Sequence, residues 1–180
     1  RIRRMRRAAL PMSLAVLAIA PAASAFERQW HVGGGGGIAV LAESGSKAGP
    51  VAGLHGAYGI SDTFDVRAAL LGSVNRLDGE PFELYSATAG LAYKLDVLSW
   101  IPYAGVQVGY YRLGKGPRPG DLAPDEPGFS LDLGLDYAVR RHLGLGLELR
   151  FHGFLGEGFA SLADAPYFTG LLRAEYRWGW

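Results

Sequence analysis

From Phe129 to Ala138 the chain alternates residue by residue. Phe129, Leu131, Leu133, Leu135 and Tyr137 interleave with Ser130, Asp132, Gly134, Asp136 and Ala138. The same period of two runs from Leu143 to His152, where Leu143, Leu145, Leu147, Leu149 and Phe151 interleave with Gly144, Gly146, Glu148, Arg150 and His152. It returns at the end of the sequence, with Phe168, Gly170, Leu172, Ala174, Tyr176, Trp178 and Trp180 set against Thr169, Leu171, Arg173, Glu175 and Arg177. In a strand, such alternation sends one set of side chains to each face. One face is apolar and aromatic, and the other is small, polar or charged. The helical period is almost absent after residue 25.

Extended along the chain, this template predicts eight strands, at about 28–42, 50–60, 64–75, 83–95, 101–113, 128–138, 143–155 and 166–180. Gly33–Gly37 leaves the first with few side chains to set its phase. Pro50, Pro81, Pro102, Pro117, Pro119, Pro124, Pro127 and Pro166 all fall in connections or near strand ends, as a residue that cannot donate to a ladder must. The connections alternate in length. Ser61–Thr63, Asp96–Trp100 and Val139–His142 are short, whereas 43–49, 76–82, 114–127 and 156–165 are longer. Short turns on the side of both termini and longer loops opposite predict an all-β fold: an eight-stranded antiparallel up-and-down transmembrane β-barrel. Each segment is long enough for the roughly 9–11 residues that a tilted strand needs to cross a bilayer.

Alternation by itself also fits a soluble lipocalin-like carrier, whose apolar face would point inward. Three features choose the inverted arrangement. First, the polar face is mixed in charge and rich in glycine. Asp65, Arg67, Lys94, Asp132, Asp136, Glu148, Arg150, Arg173, Glu175 and Arg177 are interspersed with Gly90, Gly105, Gly109, Gly134, Gly144 and Gly146. An eight-stranded barrel is just wide enough for its interior side chains, so long charged residues pairing across it need small neighbours. Second, aromatics gather at strand ends: Tyr58, Phe64, Tyr93, Trp100, Tyr137, Tyr176, Trp178 and Trp180 toward the short turns, and Tyr85, Phe129, Phe151, Phe154 and Phe168 toward the long loops. Rings gather in this way at the two interfaces of a membrane. Third, the sequence ends on an aromatic in mid-alternation, with Leu172, Ala174, Tyr176, Trp178 and Trp180 on one face. This ending resembles the C-terminal signal of Gram-negative outer-membrane barrels. The chain as a whole is similar to the small eight-stranded OmpA/OmpX/OmpW-like class. That resemblance implies outer-membrane lipid and, during insertion, the barrel assembly machinery as partners.

Charge and composition sharpen the picture. Glycine is 27 of 180 residues, 19% are charged and cysteine is absent. No cysteine means no disulfide framework and no thiolate metal site. The formal net charge is +1, but Arg1, Arg3, Arg4, Arg6 and Arg7 stand in the first seven residues. Without residues 1–25 the chain carries 13 basic and 17 acidic side chains, a net of −4, which excludes a basic nucleic-acid footprint. The N-terminal arginines precede an apolar stretch, Leu14–Ala20, and a small-x-small site, Ala23-Ser24-Ala25. This is a secretory signal pattern with cleavage expected after Ala25, leaving 26–180 as the barrel domain. Pro11 and Pro21 bracket too few apolar residues for a membrane-spanning helix, which needs roughly 20. The sequence begins with Arg1, and Met5 is a candidate start.

Candidate chemistry is sparse. Gly33–Gly37 lacks the Gly-Lys-Ser/Thr and following helix of a phosphate loop and reads as a bare strand that gives room to neighbouring lumen side chains, or as a bend. His31, His55, His142 and His152 show no metal-ligand spacing, and no cofactor is expected. Lipid A deacylases of this barrel size carry a membrane-facing His-x-Ser pair. Here His152 is followed two positions later by Phe154, and its parity puts it in the lumen. The chain is therefore expected not to be an enzyme. Its expected function is that of an outer-membrane barrel with a largely filled polar lumen, in which Arg150 pairs with Asp132 or Asp136. A structural or surface-interaction role would then fall to loops 43–49, 76–82, 114–127 and 156–165, toward a ligand the sequence does not identify. The alternative is a narrow pore for small solutes, supported by the glycine-rich lumen.

Overall fold

A computed structural model describes residues 28–42, 44–95, 97, 99–116, 123–155 and 166–179. The expected signal peptide, residues 1–25, and Trp180 lie outside the described residues, as do the whole loop at 156–165 and residues 117–122 of the loop at 114–127. Among the described residues nine strands form: β1 (Trp30–Leu41), β2 (Ser46–Lys47), β3 (Gly49–Gly59), β4 (Phe64–Leu77), β5 (Glu80–Lys94), β6 (Trp100–Leu113), β7 (Asp125–Arg140), β8 (Leu143–Phe154) and β9 (Tyr167–Trp178). Each long strand pairs antiparallel with its sequence neighbour, and β1 pairs with β9, so eight strands close a barrel. The short β2 is an addition at the long-loop end, pairing Ser46 with Leu77 and Lys47 with Arg76 of β4.

The registers fix the barrel's shape. Following paired residues from Trp30 through Tyr58, Val66, Leu91, Val106, Leu131, Phe151 and Phe168 returns to β1 at Val40. That point is ten residues along from the start, and a stagger of this size in eight strands tilts them by about 40°. One irregularity, between Ala138 and Arg140, precedes the tight Arg141–His142 turn.

The wall is inverted relative to a soluble protein. Leu172 is 71% exposed while the adjacent Arg173 is 5% exposed, and Leu133 is 62% exposed beside Asp132 at 1%. With a membrane around it, this arrangement places apolar side chains in lipid while closure satisfies the backbone within the wall. Among the described residues no helix is long and apolar enough to cross a membrane.

Rings line the short-turn rim as cross-strand neighbours. Trp30 lies 4.8 Å from Tyr58 and 6.5 Å from Trp178, Phe64 lies 5.3 Å from Tyr93, and Trp100 lies 4.8 Å from Tyr137. Toward the long loops, Phe151 contacts Phe129 at 6.1 Å and Phe168 at 5.4 Å. Phe154 does not join this outer girdle. It is buried at the lumen side, because β8 keeps its alternation to the end and an even-numbered residue points inward.

The connection expected at 76–82 is also different. β4 runs to Leu77 and β5 starts at Glu80, leaving only Asp78–Gly79 as a turn. Both have positive φ, 53° and 90°, as a two-residue hairpin with the twist of its strands requires, and Asp-Gly is a strong signature of it. The loop at 114–127 is shortened as well, because β7 begins at Asp125.

Candidate functional site

The lumen divides into two layers. Toward the long loops it is largely apolar, with Ser73, Asn75 and Glu126 also buried at that end: Leu41, Leu77, Phe82, Leu113, Phe154 and Tyr167 belong to one buried cluster. These residues are inward-facing positions near strand ends. Toward the short turns, the same parity delivers charge.

The last strand supplies the spine. Arg173, Glu175 and Arg177 alternate with outward residues, so all three enter the lumen side by side. Glu175 accepts from Arg173 Nη2 at 2.8 Å and from Arg177 Nε at 2.6 Å. Arg173 spreads further, donating from Nη1 to Glu148 at 2.7 Å and from Nη2 to Asp136 at 3.1 Å. Arg150 donates to Glu148 Oε1 at 2.6 Å and stands 3.7 Å from Asp132. Of the two partners expected for Arg150, then, Asp132 is within reach. Asp136 instead serves Arg173, with Arg177 4.0 Å away. At the opposite wall, Lys94 Nζ lies 2.7 Å from Asp65, and Arg67 lies between Asp65 at 3.9 Å and Glu148 at 3.7 Å.

All ten expected lumen charges are buried, and they balance as five carboxylates against five cations. Balance matters here because an unpaired charge in a low-dielectric interior is costly. Two histidines join the network. His31 Nδ1 lies 3.3 Å from Glu175 Oε1, and His55 Nε2 lies 3.4 Å from Glu175 Oε2.

Several neutral partners escaped the sequence reading. Tyr103 donates to Glu148 at 2.5 Å and carries the Arg67 guanidinium 3.8 Å above its ring. Asp132 accepts from Gln107 and, at 2.8 Å, from Ser130. The signal for Tyr103 and Gln107 was the parity of β6, in which Ile101, Tyr103, Gln107, Tyr111 and Leu113 are buried and point into the lumen, whereas Ser130 lies on the polar face of β7 that the alternation itself marks out.

Glycines make the space. A Cβ on Gly134 would enter the Tyr103 ring, and one on Gly144 would come within 2.6 Å of Arg177 Nη2. In the bare run of β1, a Cβ on Gly33 would meet His55 Cε1 at 2.6 Å. Where the two layers meet, a void beside Glu148, Arg150 and Arg173 measures about 10 Å³, near the lower limit for a single water.

His152 lies in the upper layer and is fully buried. The Tyr111 hydroxyl is 2.9 Å from its Nδ1 and the Thr169 hydroxyl 3.1 Å from its Nε2. It has no face toward the membrane. Among the described residues no group of three or more His, Asp or Glu side chains could hold a metal ion.

Of the C-terminal series, Leu172, Ala174, Tyr176 and Trp178 all face outward, and Trp178 closes the β1–β9 seam beside Trp30. Trp180 lies outside the described residues.

Comparison with known proteins agrees with the inverted wall. Neisserial surface protein A superposes with a TM-score of 0.66 at 21% identity, covering 84% of this chain and 97% of that one. Ail, the attachment invasion locus protein of Yersinia pestis, gives 0.60 at 16% identity, covering 84% and 99%. OprG from Pseudomonas aeruginosa gives 0.57 at 15% identity, covering 88% and 100%. No curated protein matches the sequence. Residues 9–162 match the family model described as the outer membrane protein beta-barrel domain. The chain therefore belongs to that family, as a small eight-stranded barrel of the Gram-negative outer membrane.

Proposed function

We propose that this barrel is a closed wall that does not conduct, and that its work is done at the surface by the loops above the apolar layer. The observation that carries this reading is the stacking of the two lumen layers. A solute on the axis would have to displace the Leu113–Phe154–Tyr167 packing and then part the Arg173–Glu148–Arg150 pairs. The surface role falls to 43–49, to 114–124 and to 156–165. The Asp78–Gly79 hairpin is too tight to offer much of a binding loop. That a barrel of this fold is described as an attachment protein, and was crystallised with the heparin analogue sucrose octasulfate, supports such a use of the scaffold.

Recording in planar bilayers tests the reading. Folded protein is expected to give no stable conductance steps. Reproducible steps from heat-modifiable protein would replace it with the narrow pore.

The outward series Leu172, Ala174, Tyr176 and Trp178, with Trp180 after it, is on the same proposal what the assembly machinery reads. Its apolar face remains available on β9 until the seam closes.

A further inference from the structure

Across β3–β6, on the lipid-facing side, lies a groove of about 590 Å³. Its floor is Gly56, Ala68 and Ala89, and Leu54 and Tyr110 stand at its sides. The next rung toward the long loops pairs Gly72 with Tyr85 and Tyr85 with Arg112. Arg112 points outward, its side chain 73% exposed, and its carboxylate neighbour Asp125 is 3.8 Å away.

Arg76 lies four residues beyond Gly72 on the same outward face, about 13 Å along the strand. Lys47 of β2 is its direct cross-strand partner. Like charges placed opposite one another destabilise a ladder. Among the described residues neither Lys47 nor Arg76 has a carboxylate within 4.0 Å. Glu83, the acid between them and Arg112, accepts from the Tyr85 hydroxyl at 3.1 Å. The pair is a local conflict that an anion would resolve.

We infer that this face binds a membrane lipid with an anionic phosphate headgroup. The headgroup sits at Lys47 and Arg76, and one acyl chain runs past Arg112 into the groove below. Cations just beyond an aromatic rim stand at headgroup depth, where anionic lipid is attracted to them. A second outer groove, of about 560 Å³ over Gly170 and beside Phe151 and Phe168, serves as a comparison. No basic side chain among the described residues stands above it.

Native mass spectrometry of the folded mature protein, released from detergent containing equal phosphatidylglycerol and phosphatidylcholine, tests it. Retained phosphatidylglycerol should exceed phosphatidylcholine at least fivefold. The K47Q/R76Q double variant should lose that preference, and Ala68→Phe should lower retention of both lipids. Excess inorganic phosphate should compete only weakly, because it lacks the tail. Equal retention of the two lipids would overturn the inference, as would a preference unchanged in K47Q/R76Q. So would a preference lost instead in R140Q/R141Q, at the opposite rim. Retention unaffected by Ala68→Phe, with full competition by phosphate, would overturn the groove.

Discussion

Tyr103 reaches across Gly134 to donate its hydroxyl to Glu148 at 2.5 Å, linking β6 to β8 over the intervening strand. Glu148 is the hub of the lower lumen, since Arg150 and Arg173 also bond to it and Arg67 stands 3.7 Å away. The two ends of the contact should differ in cost. Tyr103→Phe removes one donor from a carboxylate that keeps its guanidinium partners, and should cost about 1–2 kcal/mol. Glu148→Leu strands buried cations and should cost about 3–5 kcal/mol or prevent folding. Urea unfolding in detergent, followed by tryptophan fluorescence, separates the two. Equal effects would mean that Glu148 is no hub.

Arg150→Met tests the same network from its cationic side. Methionine keeps much of the volume but leaves Glu148 and Asp132 without a partner that lies 2.6 Å and 3.7 Å away. A loss of about 3–5 kcal/mol is expected. An unchanged unfolding midpoint would show that the lower lumen is wet enough to solvate both carboxylates.

Gly134 has a narrower role. Its missing side chain is the floor on which the Tyr103 ring rests, between cross-strand partners of β6 and β7. Gly134→Val should displace the ring, and with it the Glu148 bond and the Arg67 guanidinium stacked above. The loss should therefore exceed that of Tyr103→Phe. If Gly134→Val and Tyr103→Phe were equally mild, the ring's position would be incidental.

Much of this architecture was legible in the alternation itself. Period two placed Arg173, Glu175 and Arg177 on one face and Leu172, Ala174 and Tyr176 on the other, and closure of the sheet decided which face was interior. Pairing was less legible. Asp132 and Asp136 have the same parity and lie one strand from Arg150, but the register aligns Asp132 with Arg150 and Asp136 with Gly146. The apolar upper lumen was missed for a different reason. Leu77 and Phe82 fall in the stretch 76–82, which reads as a loop, and Leu113 at a strand end, although their parity carries them inward. Phe154 shows the same error: an aromatic near a strand end suggests an interface, but parity outranks composition. Nothing in the pattern along one strand reveals Lys47 opposite Arg76, which depends on how the first long loop folds back on β4.

Asp78–Gly79 should be a sensitive point for hairpin formation. Gly79 has φ 90°, where a side chain is strained, and Gly79→Ala should cost roughly 1–2 kcal/mol. The β4–β5 pairing runs from Phe64–Tyr93 to Leu77–Glu80. A weakened turn should therefore appear as slower refolding into lipid or detergent, read from the gel-mobility shift between boiled and unboiled samples. Inserting two glycines after Gly79 should slow refolding further. Refolding as fast as the parent's would show that this hairpin forms late and is held by its neighbours.

The seam between β1 and β9 separates stability from recognition. Trp178 pairs in register with Trp30, stacked at 6.5 Å and 14° between planes, and also touches Tyr176 at 6.0 Å. Losing one aromatic pair costs about 0.5–1.5 kcal/mol, so purified Trp178→Ala should still refold and still shift on heating. If the assembly machinery reads β9, as proposed above, it does so before the seam exists, when the outward series Leu172–Ala174–Tyr176–Trp178 is an open apolar face. Trp178→Ala should lower the heat-modifiable barrel recovered from outer-membrane fractions several-fold, well beyond what its loss of stability accounts for. Val32→Ala, on the same wall but outside the terminal strand, serves as the control. If both variants lowered recovery only in proportion to their unfolding midpoints, Trp178 would be a seam residue and no more than that.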